Sequence, residues 1–339
     1  MRFLLFISQN YSFEILRPIQ AQAKALGDEV KWLVFDDKLD LSRFVAEEDV
    51  TSDINEAIKF NPDATFVPGN VVPSFIPGIK VQVFHGLEWK KKGHFNIRDC
   101  FDLYCTQGAF FTDKFQQLAD THKNFDVVET GWPKLDGLFS AEPYPRQSQE
   151  LPCILYAPTF SPSMTSAQAL FEEIVEISKS KPFHWIIKFH PKMDATTVQQ
   201  YQSAQHDKLK VIDASEVAPL LQCADVIVSD TSSIIAEFLL LGKPAVTFKN
   251  VQPESVLIDI EQASLLSEAI EQALVPNQEK QVQIEQYKNQ MHPYQDGLSA
   301  LRVINAAKEI INNGKKAPKK LPKNRIRNLK MRKIFNYWR

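Results

Sequence analysis

The sequence predicts an α/β protein made of two doubly wound, parallel-sheet domains, and three features carry that prediction. Short β-branched or aromatic runs alternate with stretches of helical periodicity along nearly the whole chain, the pattern of parallel strands joined by helical crossovers. The length of 339 residues exceeds what one core usually organises. Between two such alternating halves lies Ser140 to Pro152, a polar segment with three prolines that reads as a linker. The expected division is therefore a domain over 1–140, a second over 151–314, and a basic tail over 315–339.

The first strand is Arg2 to Ile7, followed by a helix whose Ile15, Ile19, Ala23 and Leu26 share a face and which Gly27 ends. Val30 to Phe35, Thr65 to Val67 and Lys80 to Phe84 read as further strands. The last of these exits into His85-Gly86. A histidine at the end of a buried strand, beside a glycine that lets a ligand approach the backbone, suits proton transfer; a histidine satisfied within the fold fits that position equally well. Lys90 to Lys92 follow and read most simply as a solvated face. Phe101 to Cys105 leads through Gly108 into a helix reaching about Ala119. Phe125 to Val128 exits into Gly131-x-Pro133-Lys134, a rigid turn that projects one cation and, taken alone, reads most simply as structural.

The second domain opens with the strand Ile154 to Tyr156, which exits through Ala157-Pro158-Thr159-Phe160. A helix over Ala167 to Ser178 follows. His184 to Phe189 is a strand whose exit, His190-Pro191-Lys192, cannot continue the sheet because proline has no N–H to donate. Lys208 to Ile212 is another strand, and Ser215 is the expected cap of the short helix after it. Beyond come Leu257 to Ile260, helices over Leu265 to Leu274 and Lys280 to Gln290, then His292-Pro293-Tyr294 and Asp296-Gly297 opening a last helix to Ile311.

The most informative stretch is Asp225 to Phe248. A buried strand ends in Ser229, Asp230, Thr231, Ser232 and Ser233; Ile234, Ile235, Phe238, Leu239 and Leu241 recur at helical spacing; Gly242 stands where a left-handed terminator belongs; Pro244 to Phe248 restarts a strand. Ligands of parallel sheets bind at the carboxyl ends of the strands. Capping the helix needs one such side chain, so the surplus on Thr231, Ser232 and Ser233 points to hydroxyls that donate to phosphate oxygens.

Several classes are excluded or disfavoured. No G-x-G-x-x-G, Walker A, G-x-S-x-G or H-E-x-x-H occurs, which removes the usual signatures of hydride transfer, NTP hydrolysis, serine hydrolysis and zinc proteolysis. Cys100, Cys105, Cys153 and Cys223 lie in or beside apolar runs without C-x-x-C spacing, as buried thiols of a reducing compartment do. No metal and no cofactor is expected. No apolar run approaches the roughly 18 residues of a membrane span, and the N-terminus lacks a signal peptide's features; the expected location is cytoplasmic.

These strand exits together resemble the CDP-glycerol glycerophosphotransferase family. The residues that carry the resemblance are His85-Gly86 with Lys91 and Gly93, Gly131-x-Pro133-Lys134-x-Asp136, Ala157-Pro158-Thr159, His190-Pro191, Ser229-Asp230-x-Ser232-Ser233 with Glu237, Gly242-Lys243-Pro244 and Asp296-Gly297. It spans roughly Val81 to Ile311 and is strongest from Ile186 to Phe248. It departs at Lys134, where the family commonly has arginine, and at Leu87-Glu88, where a Thr-Pro pair is usual. The resemblance implies two Rossmann-like domains in a GT-B arrangement across an interdomain cleft, with a CDP-alditol donor held mainly by the second domain. It implies that His85 deprotonates an acceptor hydroxyl, that His190, Ser232 and Ser233 contact the donor diphosphate, and that Glu237 lies near the ribose. Lys134, Thr159, Lys192, Asp230 and Thr231 complete the expected donor site, with His190 also in a catalytic role. The implied reaction transfers glycerol phosphate, or a related alditol phosphate, to a glycan or lipid-linked acceptor of a capsule, O-antigen or teichoic-acid-like polymer and releases CMP. A GT-B glycosyltransferase using a UDP- or GDP-sugar is the alternative, distinguished by a nucleoside diphosphate leaving group; a UDP-sugar epimerase is a third reading.

The tail is electrostatically separate: eleven of the 39 basic side chains and none of the 41 acidic ones lie in 315–339. Met331, Ile334, Phe335 and Trp338 recur at helical spacing among the cations, which suits an amphipathic helix on an anionic membrane surface; a disordered, solvated tail is the alternative, and a nucleic-acid or protein partner a third reading. The expected location is thus the inner face of the cytoplasmic membrane, held peripherally, with no nucleic-acid partner.

Overall fold

In a computed structural model, residues 1–35, 39–87, 93–146, 150–214, 217–275, 277–313 and 325–338 are described. The chain divides into one unit of residues 1–140 and 290–339 and a second of residues 141–289.

In the first unit the strands are β1 (Arg2–Ile7), β2 (Glu29–Val34), β3 (Val50–Thr51), β4 (Ala64–Val67), β5 (Ile79–Gln82), β6 (Leu103–Thr106) and β7 (Asp126–Glu129). All pair in parallel, in the order β3-β2-β1-β4-β5-β6-β7. Helices α1 (Ser12–Ala25), α2 (Ile54–Phe60), α3 (Ala109–His122) and α4 (Asp136–Ser140) connect or follow them. The β1, β4, β5 and β6 side chains are almost wholly buried, which is why these strands read as continuous apolar runs rather than alternations.

The second unit contains β8 (Cys153–Tyr156), β9 (His184–Ile187), β10 (Leu209–Val211), β11 (Val226–Ser229), β12 (Ala245–Phe248) and β13 (Ile258–Ile260) in the parallel order β10-β9-β8-β11-β12-β13. Its helices are α5 (Phe171–Ser180), α6 (Ala195–Ser203), α7 (Ala218–Cys223), α8 (Ile234–Leu240), α9 (Leu266–Leu274) and α10 (Gln278–Met291). Both sheets are Rossmann-like winds, and the winding direction reverses between β1 and β4 in one and between β8 and β11 in the other. Crevices at such reversals are where open α/β sheets take their ligands.

Details follow the sequence closely. Gly27 and Gly242 have φ of +78° and +77°, the left-handed conformation expected after α1 and α8. The helix expected from Ala167 begins instead at Phe171, because Ser166 and the Ala167 carbonyl are held in side-chain hydrogen bonds. Strand β3 was not predicted; two residues carry no readable period. Ser215 and Lys90 to Lys92 lie outside the described residues.

The second unit ends at Asn289, short of the expected boundary at 314. Two further helices, α11 (Ser299–Asn312) and α12 (Arg325–Ile334), belong to the first unit. Helix α11 buries Ala300, Val303, Ile304 and Ala307 and packs against α1. Its first turn is capped from outside: Asp136 accepts hydrogen bonds from the Ser299 and Ala300 N–H groups at 2.8 and 2.7 Å. Beside it the Trp132 N–H donates to His292 Nε2 at 2.9 Å. Gly131, with φ of +79°, faces the Ser299 hydroxyl so closely that a Cβ would lie 2.5 Å from it. The Gly131-x-Pro133 turn and the His292 to Ser299 segment, distant in sequence, thus form one clasp.

The tail is not a separate object either. Met331 is buried, Phe335 stacks near Phe35 and Phe75, Tyr337 stacks on Phe75 at 4.7 Å, and Asn328 accepts from Ser74 at 2.6 Å. Part of the apolar face read as membrane-seeking is therefore satisfied within the first unit.

Burial pushes the pKa of His292 down to about 4, against 6.5 ordinarily. The folded state therefore keeps His292 neutral while an unfolded chain protonates it as pH falls below about 6.5. Stability present above that pH is lost progressively down to about pH 4, by roughly 3 kcal/mol at about 1.4 kcal/mol per pKa unit. In His292→Gln, whose amide oxygen can still accept from Trp132, urea denaturation at pH 7 and pH 4.5 is expected to show a smaller loss than in the native protein.

Candidate active site

His85 stands just beyond β5, the strand next to β4 and so one strand away from the reversal of the first unit. The Val83 N–H still donates to the Val67 carbonyl at 3.0 Å, and the chain then turns sharply at Phe84, whose φ is +57°. A left-handed conformation in a non-glycine residue costs about 1 kcal/mol or more. Here it is held by burial of the Phe84 ring against Tyr104 and Phe115 and by the Trp132 indole N–H, which donates to the Phe84 carbonyl at 3.4 Å. The turn aims His85 at the β4 exit, where its Nδ1 lies 3.3 Å from the Pro68 carbonyl. A carbonyl only accepts, so in a neutral ring the hydrogen sits on Nδ1 and the lone pair on Nε2. The Tyr11 ring, after the β1 exit, lies 5.6 Å from the imidazole.

Lys134 also lies in the first unit, not with the donor residues of the second. Its ammonium is 3.6 Å from the Glu14 carboxylate and 5.4 Å from the Trp132 ring centroid.

In the second unit the exits of β8, β9 and β11 adjoin, because β8 pairs with both β9 and β11. Asp230, 1% exposed, organises them. Its carboxylate accepts from the Thr159 N–H at 3.0 Å, the Ser166 N–H at 2.9 Å, the Ser166 hydroxyl at 3.0 Å and the Thr231 N–H at 2.6 Å. The Asn250 amide donates to the Asp230 carbonyl at 2.6 Å. A carboxylate so saturated ties the loops together and has little left for a ligand. The Ser229 hydroxyl likewise donates inward, to the Ala157 carbonyl at 2.6 Å, and the Thr231 hydroxyl accepts from the Val251 N–H at 3.3 Å. Among the described residues, the hydroxyls of Thr159, Ser232 and Ser233 have no such partner. Glu237 is half-buried on α8.

His190 leaves β9 exposed, with its ring stacked on Phe160 at 4.4 Å. The Lys192 N–H donates to its Nδ1 at 3.0 Å, so the hydrogen of the neutral ring sits on Nε2. Partial burial, then the nearby Lys192 and Lys188 ammoniums, hold its pKa below the ordinary value, which favours that neutral form. The Lys192 side chain is exposed, 5.7 Å from the Phe160 ring.

The structure thus brings Thr159, His190, Lys192, Asp230, Thr231, Ser232, Ser233 and Glu237 together in one unit and keeps His85 and Lys134 in the other. Sequence reasoning missed Tyr11, Pro68, Ser166 and Asn250. Pro68 acts through its backbone, which leaves no side-chain signal; Asn250 could have been found as the polar residue directly after a buried strand.

Replacing Asp230 by Asn puts an amide N–H₂ where four donors converge. We expect a stability loss of about 2–3 kcal/mol, the usual penalty for an unsatisfied buried group. Hydrogen–deuterium exchange should accelerate locally in peptides covering 157–166, with the first unit unchanged.

A model of the CDP-glycerol:poly(glycerophosphate) glycerophosphotransferase family matches residues 97–309, a stretch that includes every candidate residue above except His85 and the neighbours around it, Tyr11 and Pro68. The teichoic acid glycerol-phosphate primase of Bacillus subtilis (strain 168) is 25% identical over 272 residues, 68% of either chain. Among solved structures, the wall teichoic acid polymerase TagF soaked with CDPG is similar with a TM-score of 0.63 and 14% identity, over 92% of this chain and 89% of that one. A UDP-N-acetylglucosamine 2-epimerase from Neisseria meningitidis bound to UDP-GlcNAc gives 0.61 and 16%, over 91% and 100%. At these identities the structures attest to the shared GT-B fold, and the family match decides between them. The chain belongs to the CDP-glycerol:poly(glycerophosphate) glycerophosphotransferase family and is an enzyme of that transferase class.

Proposed function

We propose that this enzyme transfers glycerol phosphate, or a related alditol phosphate, from a CDP-linked donor to a hydroxyl of a glycan or lipid-linked acceptor in cell-envelope polymer synthesis. The observation that carries the reading, beside family membership, is the pair of complementary histidines. Attack of an alcohol on the β-phosphorus expels CMP, so a site must take one proton and neutralise a diphosphate. Nε2 of His85 has the lone pair needed to accept the acceptor's proton. Nε2–H of His190 has the hydrogen needed to bond a phosphoryl oxygen, and Lys192, Thr159, Ser232 and Ser233 supply further donors beside it. Asp230 and Thr231 act by holding those loops, and Glu237 is assigned to the ribose side.

Calorimetry with CDP-glycerol, CDP-ribitol, CMP, UDP-GlcNAc and GDP-mannose tests the donor class. Cytidine-selective binding that falls at least tenfold in His190→Ala and Ser232→Ala is expected. His85→Ala should bind the donor within about twofold yet release CMP on the order of 10²–10⁴ times more slowly, the usual contribution of a general base. Selective binding of a uridine or guanosine sugar would make this a glycosyltransferase instead.

Among the described residues no helix is long and apolar enough to cross a membrane. We infer peripheral attachment through the face of α12 turned away from the first unit, where Ile326, Leu329 and Ile334 are exposed with Lys330 and Lys333, and Trp338 follows. Because removing the tail would uncover Phe35 and Phe75, substitutions are the cleaner test. Leu329→Asp with Trp338→Ser is expected to abolish co-sedimentation with phosphatidylglycerol vesicles without changing the melting temperature; unchanged co-sedimentation would refute the attachment.

A further inference from the structure

The amino end of the second unit's sheet, opposite the strand exits, holds a cavity of about 240 Å³ that no step above uses. Cys153 opens β8 on one wall and Cys223 closes α7 on another; both sulfurs are buried from bulk solvent yet line the cavity. The Cys223 thiol and the Cys153 thiol are 3.7 Å apart, in direct contact with nothing between them. The two residues are 70 apart in sequence, so the spacing gave no hint of a pair. Arg146 is fixed beside them: its guanidinium donates to the Cys223 carbonyl and to Asp225 at 2.8 Å. His184, Lys208, Lys210 and Asp207 also line the cavity, and Trp185, Ile186 and Ile212 give it an apolar wall.

We propose that Cys153 and Cys223 are a thiol pair that closes to a reversible disulfide when a small peroxide enters this cavity. The geometry requires the sulfurs to approach from 3.7 Å to the roughly 2.05 Å of a disulfide. The first movement is of a side chain at a helix end rather than of the sheet. Cys223 is the attacking group. The Cys153 thiol beside it and then the Arg146 guanidinium favour its thiolate and hold its pKa below the ordinary thiol range, while Cys153 is pushed up. The Cys223 thiolate attacks one peroxide oxygen and breaks the O–O bond, giving a sulfenic acid and hydroxide, which takes up the proton that the thiol released. The Cys153 sulfur then attacks the Cys223 sulfur; the S–O bond breaks, and the departing hydroxide leaves as water with the Cys153 proton. Two thiols lose two electrons and two protons, and the peroxide becomes two waters. Cys100, pushed up to about 11 by burial, and Cys105, pushed further still, have no sulfur partner and stay reduced.

The test treats the full-length native protein with hydrogen peroxide, alkylates the remaining thiols and maps the peptides without reduction. The expected product is a linked pair of peptides carrying Cys153 and Cys223, with Cys100 and Cys105 alkylated, and the link should vanish with dithiothreitol. In Cys153→Ser, the Cys223 sulfenic acid should be trapped by a dimedone probe; in Cys223→Ser, Cys153 should remain alkylatable. Recovery of both Cys153 and Cys223 alkylated after oxidation, or of Cys223 as sulfinic acid beside an alkylated Cys153, would overturn the proposal.

Discussion

Each of the two histidines at the strand exits has one ring nitrogen committed to the backbone, and the proposed chemistry depends on that constraint. Pro68 offers His85 only an acceptor and Lys192 offers His190 only a donor. A neutral imidazole has one hydrogen, so the two contacts leave opposite groups at the outward nitrogens: a lone pair on one, an N–H on the other. Two residues of the same type thereby present the opposite outward groups that the proposed proton acceptor and phosphate binder need.

In each unit a buried carboxylate gathers backbone N–H groups from segments distant in sequence. Asp230 gathers N–H groups from the β8 and β11 exits, and Asp136 gathers those opening α11. Both lie among residues that the family resemblance singles out, and both face inward. The work of such a residue is loop geometry, since a buried acceptor without its donors, or donors without their acceptor, is expensive. Gly131 belongs to the same logic, because Ser299 and His292 occupy the space a side chain would need.

Much of this was legible in the sequence. The runs that became β8, β9, β11 and β12 are wholly or nearly buried, so each read as an uninterrupted apolar segment, and their polar exits stood out against them. The Ser229 to Ser233 cluster stood out at the β11 exit, but sequence could not divide it into Ser229, Asp230 and Thr231, which bond inward, and Ser232 and Ser233, which do not. That division depends on the Ala157 and Val251 backbones, brought near by pairing across the sheet. The return of α11 and α12 to the first unit was invisible for a similar reason: an amphipathic helix announces that it packs, not on what. The contact between Cys153 and Cys223 likewise arises from topology alone.

The account is tested most directly by the hydrogens it assigns. Long-range ¹H–¹⁵N correlation spectra of the histidine rings, assigned with His85→Gln and His190→Gln variants at neutral pH, report which nitrogen is protonated in each. The account predicts the Nδ1–H form for His85 and the Nε2–H form for His190. The same tautomer in both, or the reverse pair, would contradict it.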